Sequence, residues 1–476
     1  MRKIFGCILG GAALLFSLVT VTACGGHEGR TRYTMSAEYL PEERILNAEM
    51  TADIYNNSQS VWETLSFELY PNAYREGAKY APVSKLYAPA AYYDGESWGG
   101  IQINSLQGGS YEIAGEDENI LSVALPSALY PGERTQIKMS FSTQLAKINH
   151  RLGAGEHAVN LANFYPVLCS FSEGKFQEYV YSCYGDPFVS DCADYDVTLT
   201  LPSDLSAVCA GRVERVAQNE KTAYHVVAEG VRDVAFVLGQ FECVKKDGNI
   251  PVEYYYFRDP TPERTLKAAT DSLGYFSRTF SRYEYPRYVV VETDFPYGGM
   301  EYSGLSMISS NLRTEEVPLV VAHETAHQWW YAMVGSNQFT DAWQDEGLAE
   351  FSAALFLGAY PEYGGAYREM VNASEQSYRT FFSVRSQVSG EADTSMRRPL
   401  TSYSGEYEYR NLAYDKGVIM FDRIRETLGD RKFFSSLKKY AENYSGKTAS
   451  GEDLISCFSS ASEGLFLSFL DGICVI

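Results

Sequence analysis

The sequence has few positive charges and few histidines. Its 476 residues include 40 lysines and arginines but 61 aspartates and glutamates, which gives a formal net charge of −21 and a pI near 4.8. Because nucleic-acid phosphates require a basic protein surface, this deficit argues against a nucleic-acid partner. We interpret the acidic excess as a source of solubility. Six histidines are present, so any histidine cluster stands out.

Long apolar runs are confined to the N-terminus. Two basic residues precede a mostly apolar stretch over residues 4–21, and Ala23 and Cys24 follow it. This pattern predicts a signal peptide over residues 1–23. Ala23-Cys24 resembles a bacterial lipobox, in which the cysteine is lipidated; ordinary cleavage and an uncleaved anchor are the alternatives. No later apolar run is long enough to span a bilayer. We therefore expect a membrane-anchored, extracytoplasmic lipoprotein with a tether over residues 24–33.

The cysteines define no obvious disulfide framework. Setting aside Cys7 and Cys24 leaves seven of the nine cysteines, which is an odd number. Cys169, Cys183 and Cys192 lie close together in the sequence, and an extracytoplasmic location would permit a disulfide among them. Separate buried thiols explain the same residues equally well, so both alternatives stay open.

Residues 34–245 lack the periodicity of long amphipathic helices. Apolar and polar residues alternate instead, which is typical of half-buried β-strands. The alternation is clearest at Leu65, Phe67 and Leu69, at Ile137, Met139 and Phe141, and at Tyr195, Val197, Leu199 and Leu201. We predict an N-terminal all-β domain over residues 34–245, built as an antiparallel sandwich or saddle.

A second domain is predicted over residues 246–476. The polar, turn-forming stretch 245–249 suggests the boundary. Beyond it, strands are expected at 252–257 and 288–292, with a helix between them over residues 262–283. From residue 314 the pattern is mostly helical, and one amphipathic helix is expected to end at Gly429. A small sheet followed by helices indicates an α+β domain.

The segment 317–350 contains two of the six histidines in the pattern H-E-x-x-H, formed by His323, Glu324 and His327. Positions i and i+4 lie on one face of an α-helix, so both imidazoles can reach one metal ion. A chance match on a solvated helix is the alternative.

Eighteen residues separate His327 from Glu346, which supplies the third ligand that a catalytic zinc requires. This spacing allows the first helix to end at Gly335 and a second helix to carry Glu346 back to the metal. We therefore predict one Zn²⁺ held by His323, His327 and Glu346. Glu350, one helical turn after Glu346, would orient a histidine ligand or remain a solvated glutamate.

These motifs resemble a known family. H-E-x-x-H followed by W-x-x-E-G is similar to the gluzincin zinc aminopeptidases of the aminopeptidase N and leukotriene hydrolase type. Gly298-Gly299-Met300-Glu301 resembles the G-x-M-E-N loop that lines their substrate cleft. The segment 413–417, AYDKG, resembles the one whose tyrosine assists the transition state. The likeness is most specific over residues 250–430 and looser from residue 34.

The resemblance implies an α+β thermolysin-like zinc metallopeptidase domain behind the β domain, and peptide substrates with a free N-terminus. Glu324 would activate the zinc-bound water, and Tyr414 would donate a hydrogen bond to the oxyanion unless it is a packing residue. Glu301 would bind the substrate amine unless it is an exposed turn residue. The remaining substrate-binding residues implied by the family are Gly298, Gly299, Met300 and Tyr409.

The sequence also departs from the family. The Q-x-E-P-x-x-A-R pattern of the first domain is not visible before residues 163–166, where the family has a substrate-facing loop, and Glu156 is the sole substitute we can suggest. The helical C-terminal domain of many relatives is not expected here. Two rivals therefore remain: an endopeptidase of the same fold and a non-catalytic surface lipoprotein that binds without turnover.

Overall fold

The computed structural model describes residues 29–390 and 393–472. The predicted signal peptide, Cys24 and the start of the tether lie outside the described residues. Within them, no helix is both long and apolar enough to cross a membrane. The six cysteines in this part of the chain are free thiols, which agrees with the unpaired alternative; they are Cys169, Cys183, Cys192, Cys209, Cys243 and Cys457.

The N-terminal part is built on a seven-stranded sheet. Alternate residues of its long strands are buried, as the period-two pattern predicts. Neighbouring strands are antiparallel, except that Arg32–Leu40 runs parallel to Ala193–Pro202. The spatial order of the strands is Arg212–Gln218, Lys221–Val231, Ala193–Pro202, Arg32–Leu40, Ile45–Tyr55, Arg134–Gln144 and Gly100–Gln107.

Smaller sheets complete this domain and confirm the predicted all-β class. One four-stranded sheet has the order Val167–Leu168, Trp62–Glu68, Ile120–Leu129 and Ser110–Ala114. A second has the order Ser206–Cys209, Phe236–Gly239, Val159–Leu161 and Leu152–Ala154. A two-stranded sheet pairs Phe171–Ser172 with Lys175–Phe176. Helical turns are limited to Tyr70–Tyr74 and Ala88–Ala91. Phe164 and Tyr165 are fully buried, and Tyr165 packs against Tyr33 and Tyr195. These two rings therefore belong to the core of the domain and not to a substrate-facing loop.

A five-stranded mixed sheet opens the second domain. Its spatial order is Glu242–Lys246, Val252–Tyr256, Tyr288–Thr293, Leu305–Ser309 and Gly299–Tyr302. The strand Glu242–Lys246 already belongs to this sheet, so the polar stretch 245–249 is part of a hairpin and not a linker between domains. Gly299–Tyr302 is an edge strand, paired with one neighbour, Leu305–Ser309.

Helices make up most of the remainder and confirm the predicted α+β plan. The α-helices are Pro262–Thr279, Val317–Ala326, Trp343–Ala359, Tyr367–Ser389, Glu406–Tyr409, Lys416–Leu428, Asp430–Tyr444, Gly451–Cys457 and Ser460–Leu470. Two 3₁₀ turns lie at Pro361–Tyr363 and Leu400–Ser402, and two wider π-helical turns lie at Gln328–Met333 and Arg410–Asp415. Val334–Gly335 pairs with Lys447–Thr448. Lys416–Leu428 ends at Gly429, whose φ of 74° allows the helix to stop there.

A buried arginine joins the two domains. Arg232 follows the β-domain strand Lys221–Val231, and 2% of it is exposed. Its guanidinium donates to the carbonyl of Ser190 in the β domain and to the carbonyls of Tyr331 and Lys447 in the helical domain. The planar guanidinium suits this role because its donors are fixed in direction.

Candidate active site

The first ligand helix, Val317–Ala326, carries His323 and Glu324, and His327 caps its C-terminal end. The two histidine Nε2 atoms lie 3.1 Å apart, as the i, i+4 spacing predicts. The helix does not continue to Gly335, which corrects the sequence-based expectation. A π-helical turn follows instead, with Trp330 and Tyr331 outside helical conformation.

Tertiary contacts hold this irregular turn. The carbonyl of Tyr331 accepts a hydrogen bond from Arg232, 99 residues earlier in the chain, and its hydroxyl donates to Asp233. His327 Nδ1 in turn donates to the carbonyl of Trp330 at 3.2 Å. The break therefore places a backbone acceptor where it orients the second histidine.

The second ligand helix, Trp343–Ala359, brings Glu346 to the two imidazoles. Its Oε2 atom lies 3.3 Å from Nε2 of His323 and 3.3 Å from Nε2 of His327. A triangle with these sides has its centre about 1.9 Å from each corner, close to the ~2.0–2.2 Å bonds that zinc makes with histidine and carboxylate. These three residues therefore fit a zinc ion.

The non-ligating nitrogen of His323 is also held. Its Nδ1 lies 2.8 Å from Oε2 of Glu350, which confirms the orienting role and is incompatible with a merely solvated glutamate. With Nδ1 of both histidines engaged as donors, both Nε2 atoms are left as ligands.

The surroundings of the histidines are strongly acidic. Burial alone would lower the pKa of His327, but the neighbouring Glu301 and Glu346 raise it to about 10. Glu301, Glu324 and His327 also converge on one space. The same carboxylates that favour a positive charge on the imidazoles would favour a divalent cation in place of the protons, so the site is electrostatically suited to a metal ion.

Glu324 lies beside the three ligands with a free oxygen. Its Oε2 atom is buried and has no hydrogen-bond partner in the part of the chain that the structure describes. Burial raises the pKa of Glu324 to about 7. The side chain packs tightly on Gly299, where a Cβ atom would lie 2.5 Å from Glu324 Oε1. A side chain at position 299 would therefore displace the Glu324 carboxylate from this position.

Glu301 is buried in the edge strand, with 3% exposed, so the alternative of an exposed turn residue is wrong. Its Oε1 atom accepts from Gln338 Nε2 at 3.2 Å, and the same amide donates to Asp345 Oδ2 at 2.6 Å. Met300 is also buried, and the carbonyl of Gly298 accepts from the Ser309 backbone. Sequence reasoning missed Gln338, and no local motif marks it.

Two tyrosines cover the other side of the ligands. The ring of Tyr414 stacks on His323 with centroids 5.7 Å apart, and burial holds its pKa well above the usual range, so it remains a hydrogen-bond donor. Tyr409 lies edge-on to Tyr414 at 5.6 Å, and its hydroxyl donates to Glu346 Oε1 at 3.3 Å. Tyr409 therefore contacts a metal ligand directly.

A glycine pair sets the distance between Glu346 and Tyr414. Gly347 follows the ligand, and Gly417 lies three residues after the tyrosine. A Cβ atom on Gly417 would be 2.6 Å from the Cα of Gly347. The two helices cross at this point without side chains between them, which brings the phenol close to the metal ligands.

The β domain contributes one wall of the site. Gly185, with φ +67°, lies so close to Tyr409 that a Cβ atom there would be 2.7 Å from the tyrosine hydroxyl. The next residue, Asp186, forms a buried ion pair with Arg151. Glu156, by contrast, is exposed, and no described contact links its carboxylate to the ligands. Gly185 therefore contacts the site from the β domain, and Asp186 acts on it electrostatically by raising the pKa values of Glu324 and Glu301 further than burial does alone; the sequence singled out neither residue.

Comparison with known proteins agrees with this geometry. Residues 264–472 match the model of the Peptidase family M1 domain. The chain is 23% identical over 378 residues to the puromycin-sensitive aminopeptidase of Caenorhabditis elegans, covering 74% of this chain and 39% of that protein. It is 26% identical over 296 residues to aminopeptidase M1-B of Oryza sativa subsp. japonica, covering 58% and 33%. The chain thus spans well under half the length of these relatives.

Among solved structures, the fold is shared with an M1 zinc metallopeptidase from Deinococcus radiodurans bound to a Tyr-Ser-Ala substrate. The TM-score is 0.64 at 17% sequence identity, and the match covers 94% of each chain. The resemblance inferred from four short motifs is confirmed by the family match, and the two-domain β and α+β architecture is confirmed by this structure. Residues 264–472, which match the Peptidase family M1 domain, include all three candidate zinc ligands together with Glu324, Glu301 and Tyr414.

Proposed function

We propose that the protein is a zinc-dependent metallopeptidase that removes N-terminal residues from peptides. The observation that carries the proposal is the triangle of His323, His327 and Glu346, with Glu324 facing the same space. The relatives that are named aminopeptidases and the similar structure bound to Tyr-Ser-Ala support it.

Zinc held by the three ligands would supply Lewis-acid activation of water and of the scissile carbonyl. Glu324 Oε2, which accepts no hydrogen bond from the described residues, takes the proton of the attacking water and passes it to the leaving amine. Tyr414 keeps its phenolic hydrogen and donates it in a hydrogen bond to the developing oxyanion. Glu301 receives the substrate ammonium in a charge-assisted contact.

The base assignment is tested with Glu324→Gln. This change keeps the shape of the side chain and removes its ability to accept a proton, so turnover should fall by about 10²–10⁴-fold. Zinc content and thermal stability should match those of the parent. Substantial turnover in a zinc-loaded Glu324→Gln variant would rule out Glu324 as the base.

The ligand assignment is tested by metal analysis. The purified protein should hold close to one zinc per chain, and His323→Ala should lose most of it because two ligands remain. His157→Ala is a matched control, since this histidine is half exposed and pairs with Asp294. Equal zinc content in parent and His323→Ala would refute the ligand set.

Exopeptidase and endopeptidase activity are separated by one pair of peptides. Zinc, Glu324 and Tyr414 serve either reaction, whereas Glu301 acts only on a free α-amine. A peptide with a free N-terminus should therefore be cleaved much faster than its N-acetylated form. Equal rates, or internal cuts as first products, would favour an endopeptidase. Complete inertness of the zinc-loaded protein towards peptides and amino-acid amides would favour a binding protein.

We also propose that the protein is an extracytoplasmic lipoprotein anchored through Cys24. The proposal rests on the apolar stretch 4–21 followed by Ala23-Cys24. One acyl chain anchors a protein only marginally, so stable attachment implies more than one chain on the cysteine. Cys24→Ser should release the protein from the membrane fraction or block its maturation. Identical fractionation of variant and parent would contradict the proposal.

A further inference from the structure

An open pocket of about 610 Å³ lies between the two domains. It is lined by residues 79–81, 83–86 and 181–184 of the β domain and by residues 401 and 405–407 of the helical domain. Its walls are largely aromatic and aliphatic. They include Tyr80, Tyr181, Tyr184 and Tyr407, together with Val83 and Leu86.

Two short segments connect this pocket to the catalytic groups. Glu406 lines the pocket and begins the single-turn helix Glu406–Tyr409, whose last residue reaches Glu346 at 3.3 Å. Tyr184 lines the pocket and precedes Gly185, which lies against the Tyr409 hydroxyl. One helical turn spans about 5.4 Å. A long side chain of a peptide bound at the metal ligands can therefore reach this pocket.

Glu406 is the unusual member of the lining. Its side chain is half-buried, and no hydrogen bond or ion pair reaches its carboxylate from the residues that the structure describes. Burial, with Asp186 next in effect, raises the pKa of Glu406 to about 7. A carboxylate held partly out of water without a partner is costly. A cation that entered the pocket would remove that cost.

The lysines that line the pocket do not serve as partners. Lys79 donates to both carboxylate oxygens of Glu116, at 2.7 and 2.8 Å. Lys85 is exposed to solvent. Arg410 lowers the pKa of Glu406 from a distance, but no contact joins the two. The aromatic walls and the unpaired carboxylate together match a guanidinium or ammonium group, which stacks on aromatic faces and pairs with an acid.

The edge strand indicates which part of a substrate reaches the pocket. Glu301 lies towards one end of the segment 297–302, and Tyr297 lies at the other. Tyr297 packs edge-on against Tyr87 at 4.7 Å. Burial, with Glu406 next in effect, raises the pKa of both tyrosines. A peptide whose amine is held at Glu301 extends away from it, and Glu406 then lies on the side of the residues that follow the scissile bond.

We propose that this pocket binds the side chain of a lysine or arginine that immediately follows the scissile bond, with Glu406 as the pairing carboxylate. The aromatic walls are formed by Tyr80, Tyr181, Tyr184 and Tyr407. The orientation rests on the proposed aminopeptidase function, because it places the amine at Glu301. The protein would thus select peptides by their second residue as well as by their free N-terminus.

The test measures binding, so that it does not depend on turnover. The zinc-loaded Glu324→Gln protein is titrated with Ala-Arg-Ala and with Ala-citrulline-Ala, which replaces the guanidinium by a neutral group of similar shape. We expect the arginine peptide to bind at least about tenfold more tightly, as is usual for a partly desolvated charge pair. Adding Glu406→Gln should bring the ratio of the two dissociation constants close to one.

Glu369→Gln is the matched control, because Glu369 is an exposed glutamate on the helix Tyr367–Ser389. It removes the same charge and should leave the ratio unchanged. If Glu324→Gln protein with Glu406 intact bound the arginine and citrulline peptides equally, that result alone would overturn the proposal. An arginine preference that survives Glu406→Gln in a folded, zinc-loaded protein would overturn the role of Glu406.

Turnover distinguishes this proposal from the function on which it rests. If parent protein hydrolyses no peptide while the arginine preference in binding holds, the aminopeptidase function fails and the cation-binding pocket stands. If parent protein hydrolyses both peptides with equal kcat/KM and binds them equally, the pocket proposal fails and the peptidase function stands.

Discussion

Gln338 links the two acidic groups that flank the zinc ligands. It donates one amide hydrogen to Glu301 and the other to Asp345, while its own Oε1 is buried without a partner among the described residues. Burial, reinforced by Glu346, raises the pKa of Asp345 to about 8. Gln338 therefore fixes the carboxylate that would receive the substrate amine and leaves a second acceptor beside it.

Gln338→Met should weaken recognition of the free N-terminus. Methionine keeps the shape but offers no amide, so two buried carboxylates each lose a donor, at a cost of about 1–3 kcal/mol. We expect kcat/KM for a free-amine peptide to fall about tenfold or more, chiefly through a higher KM. Gln387→Met, on an exposed helix position, is the control. Unchanged KM and kcat in Gln338→Met would show that Glu301 does not depend on it.

The candidate zinc ligands could be predicted from the sequence, whereas several of their neighbours could not. Helical periodicity relates His323 to His327, and the eighteen residues between His327 and Glu346 match the spacing of the family that the motifs resemble. Gln338 lies in the loop between the two ligand helices, and Gly185 and Glu406 come from segments joined to the site only by tertiary packing. No periodic pattern or fixed spacing relates such residues to the zinc-binding motif, so the sequence alone does not mark them.

At the level of secondary structure elements, sequence periodicity predicted the helices but not their irregular ends. The spacing between His327 and Glu346 allows the helix that carries His323 to continue to Gly335. It ends early because Arg232 and Asp233 hold Tyr331 outside helical conformation. Local propensity cannot register a partner that lies 99 residues away. The helix Lys416–Leu428, by contrast, ends at its glycine as predicted.

The contact between the helices Trp343–Ala359 and Lys416–Leu428 leaves no room for an added methyl group. In Gly417→Ala the new Cβ would lie 2.6 Å from the Cα of Gly347, so the backbones must separate. We expect a loss of about 1–3 kcal/mol in unfolding free energy and a lower kcat, because Tyr414 moves relative to Glu346. Thermal denaturation and steady-state kinetics measure the two effects.

Gly464→Ala is the matched control for this helix crossing. Gly464 is also a helical glycine, but nothing lies within 4 Å of the position that a Cβ atom would take there. Alanine there should stabilise the protein by about 0.5–1 kcal/mol. If both substitutions stabilised the protein equally and left kcat intact, the helix contact would not control the position of Tyr414.

Across the whole molecule, the β domain braces the loop that carries Gln338. Glu68 accepts a hydrogen bond from the Tyr179 backbone at 2.7 Å. The Tyr179 ring stacks on Phe339 at 4.6 Å, and its hydroxyl accepts from Asn337 at 2.7 Å. A carboxyl group buried in the β domain therefore supports a contact with the loop that connects the two ligand helices.

This buried carboxyl should make stability depend on pH. Burial raises the pKa of Glu68 to about 8, above its ordinary value of about 4.3 in an unfolded chain. Between these values the folded protein keeps a proton that the unfolded chain has lost, so stability falls as pH rises, by up to about 1.4 kcal/mol per pH unit. Glu68→Gln cannot ionise and should gain stability relative to the parent between about pH 5 and pH 8.

Chemical denaturation of both proteins at several pH values measures this difference. The advantage of Glu68→Gln should grow from about pH 5 to pH 8 and level off above the folded-state pKa, where Glu68 is ionised in both states. Glu369→Gln should run parallel to the parent. A constant difference between Glu68→Gln and parent over this range would mean that Glu68 is already ionised in the folded protein.

The contacts of Arg232 and Gly185 have a consequence for the order in which the protein matures. All three candidate ligands fall within residues 323–346 of one domain, but the turn that orients His327 is held by Arg232 and Asp233 of the β domain. The wall against Tyr409 also comes from the β domain, and the pocket around Glu406 needs both domains. We therefore expect the oriented ligand set and the substrate walls to be completed in one step of biogenesis, when the two domains dock.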